Sequence, residues 1–397
     1  MMKKILISVI IIFCLTGCFN YRELNDYSII SGISIDKEDD EYEVSILISN
    51  STKNNSDKSS SESNVVVYSG KGDSIVSASK EIGLISPKEL YFRAFSVVVL
   101  SEDVAKEGIK TALDFFLRYS STGKNFYVVI AKDCKAKDTL KVKTPLANFP
   151  SQNISDNLTS TTKLQGIISK INFNDLLSIL LRSGIDPTIN TIKIVGKAQK
   201  GEENKNLETT EPNTYTKLDT LSIFKGDKLV AMTSHDESLG INIINDKINE
   251  MYLKIKTDEG YAIVDTTNFS SKRKVKLENN KPKVNLYFNT NARIIELTGK
   301  TNLEDPNVIK KLQKKACNKI KNFTNKALNV AFENEADIFG FGLEFYRNYP
   351  NYYSKVKKNW NKNLKKLDID IKCNITFNNK MTANNSLEET YDKEKIN

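Results

Sequence analysis

The side chains that could bind a metal, form disulfides or act as nucleophiles are few and widely spaced. The 397 residues contain five cysteines and a single histidine, His235. Zinc sites and disulfide frameworks show clustered cysteine spacings, whereas Cys134, Cys317 and Cys373 are far apart in the sequence. Cys373 lies where apolar and polar residues alternate, so we expect it to be a small core residue of a strand. The pattern predicts no metal site and no disulfide framework, and it leaves the state of the three thiols open.

One further cysteine is predicted to be chemically modified. Two lysines precede an apolar run at residues 5–15, which is shorter than the roughly 20 residues of a membrane-spanning helix. The run ends in LTGC at residues 15–18, an order similar to the bacterial lipobox, in which the leader is cut before an acylated cysteine. We therefore expect residues 1–17 to be a lipoprotein signal peptide and Cys18 to carry the lipid. The alternative is an ordinary secretory leader with a chance cysteine.

Sequence motifs for catalysis and for nucleotide or nucleic-acid binding are missing. The glycines of GKGDS at residues 70–74 lack the spacing of a phosphate-binding loop. Paired carboxylates such as Asp39 and Asp40 lie in polar runs that are typical of a solvated surface. The net charge of +9 comes from scattered lysines rather than from an arginine-rich stripe, which gives no indication of a nucleic-acid partner. We expect a non-enzymatic protein without a cofactor.

The first half of the chain shows strand and helix patterns in alternation. Two strand-like segments form a predicted hairpin before the Ser- and Asn-rich residues 49–64, which predict a solvated loop. A nearly continuous apolar run at residues 90–100 predicts a strand buried on both faces. Ser101 is the predicted N-cap of a helix that continues to residue 119. This alternation predicts an α/β domain with at least one right-handed crossover.

The second half shows a different pattern. Five strand-like segments follow one another over residues 251–299 and predict an antiparallel sheet. Asp305 is the predicted N-cap of a long helix with Pro306 at its first position. Apolar residues recur every three or four positions over residues 309–330, so this helix should pack its apolar stripe on the sheet. A last strand is predicted over residues 367–377.

These patterns predict a multidomain fold of the α+β or mixed α/β class. An N-terminal α/β domain is followed by an antiparallel sheet region with a long packed C-terminal helix. A hairpin at residues 215–234 is expected to belong to the later, strand-rich part of the chain. The predicted divisions are the signal peptide (1–17), an N-terminal α/β domain (18–200, with the polar loop 49–64), a linker or loop (201–213), a middle strand-rich domain (214–300), a C-terminal helix-plus-strand domain (301–380) and a polar tail (381–397).

Several sequence motifs occur in order along the chain: CFNYRELNDYSIISGISIDKE at residues 18–38, two segments at residues 88–109 and 223–242, and ADIFGFGLEFYRNYP at residues 336–350 with Trp360 after it. Together they carry a resemblance to a known family, the lipoprotein C subunits of bacterial spore germinant receptors, called the Ger(x)C or GerAC-like family. Departures from the family pattern occur in the first and the last motif. The matching residues of the first motif are Cys18, Arg22, Glu23, Leu24, Ser31, Gly32, Ile33 and Asp36, and the departures are Phe19, Asn20, Tyr21, Leu343, Tyr346 and Tyr353.

The resemblance implies a lipid-anchored, non-enzymatic subunit at the outer face of the spore inner membrane. It implies partnership with a polytopic A subunit and a transporter-like B subunit, and a relay of small-molecule germinant sensing into germination. It also implies three α/β-containing domains. The candidate residues for an interface or a structural motif are Arg22, Glu23, Leu24, Asp337, Phe339, Gly340, Phe341, Gly342 and Trp360.

A solute-binding lipoprotein of an import system is the main alternative, because it would share the anchor and the size. Such a protein needs two similar βα lobes around a ligand cleft, and the strand-rich residues 251–299 break that symmetry. An envelope hydrolase is a weaker alternative, since the sequence lacks a catalytic constellation. The sequence does not identify the germinant or the surface that meets the partners.

Overall fold

The computed structural model describes residues 26–49, 65–119, 122–161 and 166–377. The predicted signal peptide, Cys18, the Arg22–Leu24 segment, nearly all of the polar loop and the polar tail lie outside these residues. The strands are β1 (Tyr27–Glu38), β2 (Glu41–Ser49), β3 (Val65–Gly72), β4 (Glu89–Tyr91), β5 (Val97–Leu100), β6 (Tyr127–Ala131), β7 (Thr188–Val195), β8 (Tyr215–Lys225), β9 (Lys228–Met232), β10 (Met251–Lys256), β11 (Tyr261–Glu278), β12 (Lys281–Leu297) and β13 (Asp368–Phe377).

The helices alternate with the strands in the first half of the chain and cluster near its end. Two short 3₁₀ helices, Lys357–Asn359 and Asn361–Lys366, precede β13. The α-helices are α1 (Ile75–Ile85), α2 (Glu102–Glu107), α3 (Lys110–Arg118), α4 (Ala136–Thr139), α5 (Pro150–Thr161), α6 (Phe173–Leu180), α7 (Ala198–Glu202), α8 (Lys205–Glu208), α9 (His235–Ile244), α10 (Pro306–Glu333), α11 (Phe341–Asn348) and α12 (Pro350–Val356).

The first sheet has nine strands among the described residues, in the order β3-β2-β1-β5-β6-β7-β8-β9, with β4 also paired to β1. Strands β1, β5, β6 and β7 are parallel to one another, and the outer strands are antiparallel. Alternate residues of β5 enter different cores: Val98 and Leu100 pack with α1, α2, α3 and α6, whereas Val97 and Val99 pack with α4 and α5. This double burial explains the apolar residues of β5. The single strand predicted at residues 90–100 is wrong in extent, because a turn at residues 92–94 separates β4 from β5.

The second sheet has the order β10-β11-β12-β13, and α10 packs on it through a stripe that includes Leu312, Ala316, Ile320 and Phe323. Strand β13 is parallel to β12, and the other pairs are antiparallel. The predicted fold class, mixed α/β with a later sheet and a long packed helix, is confirmed.

Three strands, not five, occupy residues 251–299. Strands β11 and β12 each join two of the predicted segments, because β-bulges bend them without breaking the pairing. Asn279 and Asn280 connect β11 to β12, both with positive φ (51° and 61°), which suits a tight hairpin turn.

Two other predictions are corrected. Ser101 caps α2 as expected, but the predicted single helix is split into α2 and α3 at Gly108, whose φ is 138°. The hairpin of β8 and β9, which we expected in the later strand-rich part, pairs with β7 and completes the first sheet. The domain boundaries themselves stay predictions. Over the described residues, every helix is too short or too polar to cross a membrane.

A disulfide joins Cys317 of α10 to Cys373 of β13, with a Cα–Cα distance of 5.7 Å. The expectation that Cys373 is simply a small core residue was therefore wrong. The two cysteines are far apart in the sequence, and they meet only because α10 packs across the second sheet. The spacing of the cysteines therefore could not predict this disulfide. Cys134 is a free, half-buried thiol, and burial raises its pKa to about 11.

Replacing Cys317 and Cys373 together by serine should lower the free energy of unfolding by about 4 kcal/mol, because the disulfide closes a loop with a sequence separation of 56. Urea denaturation of the oxidised protein measures this change. Cys134→Ser is the matched control, since that thiol forms no disulfide. Equal urea midpoints for the double variant and the control would contradict a stabilising role for the bond.

Candidate functional site

The motif at residues 336–350 begins after α10 and includes α11. It surrounds a carboxylate that is fully buried. Asp337 accepts hydrogen bonds from the backbone N–H groups of Phe341 (3.0 Å) and Gly342 (2.6 Å). The indole N–H of Trp360 donates to the same carboxylate at 2.7 Å. Three donors therefore compensate for the removal of Asp337 from water.

Two glycines of the motif are required by geometry. Gly340 has a φ of +68°, in the left-handed region that favours glycine. Gly342 has no such conformation, but a Cβ there would lie 2.6 Å from Nε1 of Trp360 and 2.9 Å from Cα of Gly184. The FGFG sequence therefore provides a turn at its first glycine and a close backbone approach at its second.

A second carboxylate links this motif to the first sheet. Asp186 precedes β7, and its Oδ2 accepts a hydrogen bond from the backbone N–H of Asp337 at 2.8 Å. In return, the N–H of Asp186 donates to the carbonyl of Asp337 at 2.8 Å. Asp186 also accepts from the N–H of Gly226, in the β8–β9 turn, and from the side-chain amide of Asn361. We call Asp186, Asp337, Trp360 and Asn361 the carboxylate junction.

Arg273 of β11 and Asn245, the residue after α9, hold the motif from the other side. The Arg273 guanidinium donates to the carbonyl of Phe339, and burial lowers the pKa of Arg273. The amide of Asn245, the residue after α9, donates to the carbonyl of Ile338 at 3.1 Å. The loop is thus fixed by groups from both sheets.

Aromatic rings enclose the junction. Trp360 lies 5.4 Å from Phe345 and 5.5 Å from Tyr353 between ring centroids, and Phe339 lies 5.3 Å from Phe341. The side chains of Phe339, Phe341 and Trp360 are buried within the protein. These rings exclude water, which strengthens the hydrogen bonds of the enclosed carboxylate.

Burial raises the pKa of Asp337 to about 6, although the three N–H donors oppose the rise. The neighbouring Asp186 carboxylate contributes to the rise through charge repulsion. Ionised Asp337 is therefore less favourable in the folded protein than in the unfolded chain, and folding stability should increase as the pH falls through about 6.

The structure brings together the predicted residues Asp337, Phe339, Gly340, Phe341, Gly342 and Trp360, whereas Arg22, Glu23, Leu24 and Cys18 lie outside the described residues. Sequence reasoning missed Asp186 and Arg273. The turn-like sequence Gly184-Ile185-Asp186-Pro187 was a local signal for a fixed carboxylate. Nothing in the sequence near Arg273 indicated its contact with residue 339.

A cleft of about 620 Å³ lies at the carboxyl ends of β1, β5 and β6. The helices after β5 and β6 go to opposite faces, a place where open α/β sheets often bind ligands. Charged groups of the cleft are already paired: Glu38 with Lys135 and with Lys71, which lies outside the lining, and Glu102 with Lys106. Among the residues that the structure describes, no group of three or more His, Cys, Asp or Glu side chains is arranged to hold a metal.

His235 starts α9 and is more than half exposed. Its Nε2 lies 3.6 Å from Asp219, whose carboxylate is already paired with Lys132 and Lys193 at 2.7 Å each. This arrangement is an ion-pair cluster beside the first sheet.

The Gly342→Ala variant tests the close approach at the junction. The added methyl group would overlap Trp360 and Gly184, so the free energy of unfolding should fall by about 2–3 kcal/mol. Gly83→Ala in α1 is the matched control, because a Cβ there meets no atom within 4 Å and should stabilise the helix by up to about 1 kcal/mol. Urea denaturation measures both. A harmless Gly342→Ala substitution would mean that the junction is loosely packed.

The Asp337→Asn variant tests whether Asp337 titrates near pH 6 in the folded protein. Between pH 7.5 and pH 5, protonation of Asp337 should add about 1 kcal/mol to the free energy of unfolding of the wild type, given a pKa of about 6. The asparagine variant should be less stable at both pH values and should lack this gain. Asp258→Asn, at an exposed carboxylate, is the control that should keep the wild-type pH dependence. If the wild-type and Asp337→Asn proteins change in parallel with pH, Asp337 does not titrate in this range.

Comparison with known proteins gives matches along most of the chain. The family model described as "Spore germination protein N-terminal domain" matches residues 20–194. The model described as "Spore germination B3/GerAC like, C-terminal" matches residues 219–380, which include the whole carboxylate junction except Asp186. The two models occur in order and leave only a short segment between them.

Similar proteins match over nearly their whole length. Spore germination protein KC of Bacillus subtilis is 27% identical, over 98% of this chain and 99% of that protein. Spore germination protein GerQC of Bacillus cereus is 22% identical, over 82% of this chain and 87% of that protein. The crystal structure of the GerBC protein matches the fold with a TM-score of 0.53 at 17% identity, over 91% of this chain and all of that one. The chain belongs to the GerAC-like family of spore germination proteins.

Proposed function

We propose that this protein is a lipid-anchored, non-enzymatic C subunit of a nutrient germinant receptor. The observation that carries the proposal is the ordered match of both halves of the chain to the GerAC-like family. The LTGC sequence at residues 15–18, directly before the first matched segment, supports anchoring through Cys18. Two acyl chains together hold a protein at a membrane where one chain is marginal.

The proposed location is the outer face of the spore inner membrane. There the protein acts beside a polytopic A subunit and a transporter-like B subunit and passes small-molecule germinant sensing on to germination. The partners follow from the family, since relatives over nearly the full length are named spore germination proteins. No cofactor or metal takes part in this proposal.

The carboxylate junction supports a relay role for the protein. Asp186 lies just before β7 of the first sheet and Asp337 lies in the segment beside the second sheet, and each donates its backbone N–H to the other residue. Buried, mutually satisfied hydrogen bonds make such a joint stiff. We propose that a displacement imposed on one sheet by a partner is thereby transmitted to the other sheet.

The cleft at the carboxyl edge of the first sheet favours a second candidate, a solute-binding lipoprotein of an import system. Against it, the two sheets are unlike each other, one mixed with nine strands and one with four, so they do not form two similar lobes. A thermal-shift survey of amino acids and sugars separates the two candidates. A solute at about 100-fold its Kd should stabilise a binding protein by about 2.7 kcal/mol, whereas the relay subunit alone should not respond.

The Cys18→Ala variant in sporulating cells tests the proposed function. Wild-type protein should fractionate with membranes and co-purify with polytopic partners, because its lipid keeps it at the bilayer. The variant should leave the membrane fraction, and germination in an amino-acid nutrient mixture should fail. Cys134→Ala is the control, since it removes a different thiol and leaves the anchor intact.

The receptor role would be wrong if the wild type lacks polytopic partners and deletion of the protein leaves nutrient germination intact. If the Cys18→Ala variant stays in the membrane fraction and germination is normal, only the proposed lipid anchoring through Cys18 would be wrong.

A further inference from the structure

Exposed apolar side chains cluster where α1 and α3 end. Both helices run back along the parallel strands, so both end at the amino edge of the first sheet. Leu84 is 82% exposed and Ile85 is 53% exposed at the end of α1, and Leu117 is 52% exposed at the end of α3. Tyr119, directly after α3, is 44% exposed. Large apolar groups concentrated in this way on a surface indicate an interaction site.

Contacts between neighbouring segments make this cluster continuous. The rings of Tyr27 and Tyr91 lie 5.5 Å apart, as β1 and β4 pair side by side. The ring of Tyr119 lies 5.5 Å from that of Phe92, the residue after Tyr91. The hydroxyls of Ser28 and Ser86 are 3.3 Å apart, which places the end of α1 against the start of β1. We call Tyr27, Leu84, Ile85, Tyr91, Leu117 and Tyr119 the amino-edge rim.

An apolar groove continues the rim between α3 and α6. It has a volume of about 450 Å³, and Leu117 belongs both to it and to the rim. Its other apolar lining residues are Leu113, Leu177, Leu180 and Leu181, the last of which is 85% exposed.

The predicted lipid attachment point is close to this rim along the chain. Cys18 is nine residues before Tyr27. Nine fully extended residues span at most about 30 Å, so a lipid on Cys18 would hold the rim within that distance of the membrane surface. A second contact made by a tethered molecule benefits from a high effective concentration.

We propose that the amino-edge rim lies in the membrane interface and seats the first sheet on the lipid bilayer. This inference rests on the proposed anchoring through Cys18. Tyrosine rings prefer the headgroup level, where the ring is partly apolar and the hydroxyl stays hydrated, and Leu84 and Ile85 reach the adjoining acyl region. Lys88 and Arg93 flank β4, and their side chains extend to headgroup phosphates. The carboxylates Glu81, Glu89 and Asp114 lie on α1, β4 and α3, so they offset the positive charge of the two basic side chains. The proposed membrane contact therefore depends on apolar side chains rather than on net charge.

The test uses the full, lipidated chain in vesicles of three parts phosphatidylcholine to one part phosphatidylglycerol. A spin label is attached at Ile85→Cys in a Cys134→Ser background, and its accessibility to oxygen, which concentrates in lipid, is compared with its accessibility to a water-soluble nickel chelate. Ile295→Cys is the matched control, because Ile295 is also an isoleucine, is 51% exposed and lies on the second sheet. The Ile85 label should favour oxygen several-fold over the Ile295 label.

Other outcomes separate this proposal from the proposed function. Protein that fails to float with the vesicles argues against the anchor itself. Protein that floats, but whose Ile85 label is as accessible to the nickel chelate as the Ile295 label, overturns the seating. The seating is also overturned if the Ile85 label is in water on vesicles and is shielded only after a polytopic receptor subunit is added, since the rim is then a protein interface.

Discussion

The exchange of hydrogen bonds between Asp186 and Asp337 is the constraint on which the rest of the structure depends. A carboxylate with the burial of Asp337 is unfavourable unless donors replace the lost water. The donors to this carboxylate come from a backbone turn and from an indole, while the backbone of Asp337 exchanges hydrogen bonds with Asp186. Each donor must be present and correctly placed, so the position of one carboxylate fixes the path of residues 336–342 and the orientation of Trp360.

This constraint also explains the composition of the motif. Backbone N–H groups can converge on Asp337 only if the chain turns sharply at Gly340 and passes close to Trp360 at Gly342. The aromatic rings around these glycines exclude water, which strengthens the hydrogen bonds and, by the same desolvation, raises the pKa of Asp337. A motif for which the sequence left both an interface and a structural role open is therefore, in its buried part, a joint between the two sheets.

Local patterns in the sequence predicted local structure well and failed at long-range pairings. The apolar period of α10, the N-cap at Ser101 and the burial of β5 on both faces each depend on neighbouring residues, and these features were predicted correctly, although the strand at β5 is shorter than predicted. The disulfide between Cys317 and Cys373, the Asp186–Asp337 exchange and the addition of β8 and β9 to the first sheet depend on residues that meet only after folding. The candidate motif could thus be found from sequence, whereas its partners could not.

Along the chain, the predicted anchor and the joint residue Asp186 each come just before a strand of the first sheet. The predicted anchor precedes β1, and β1 pairs with β5 in the parallel part of the sheet that ends, through β7, at Asp186. A sheet moves as a rigid unit because its strands share a hydrogen-bonded ladder and both faces are packed. If the amino-edge rim seats this sheet on the membrane, its orientation is fixed there, and the joint at Asp337 sets the orientation of the second sheet in turn. The second sheet and α10 are then held at a defined angle to the bilayer, as the role proposed above, beside membrane-embedded partners, requires.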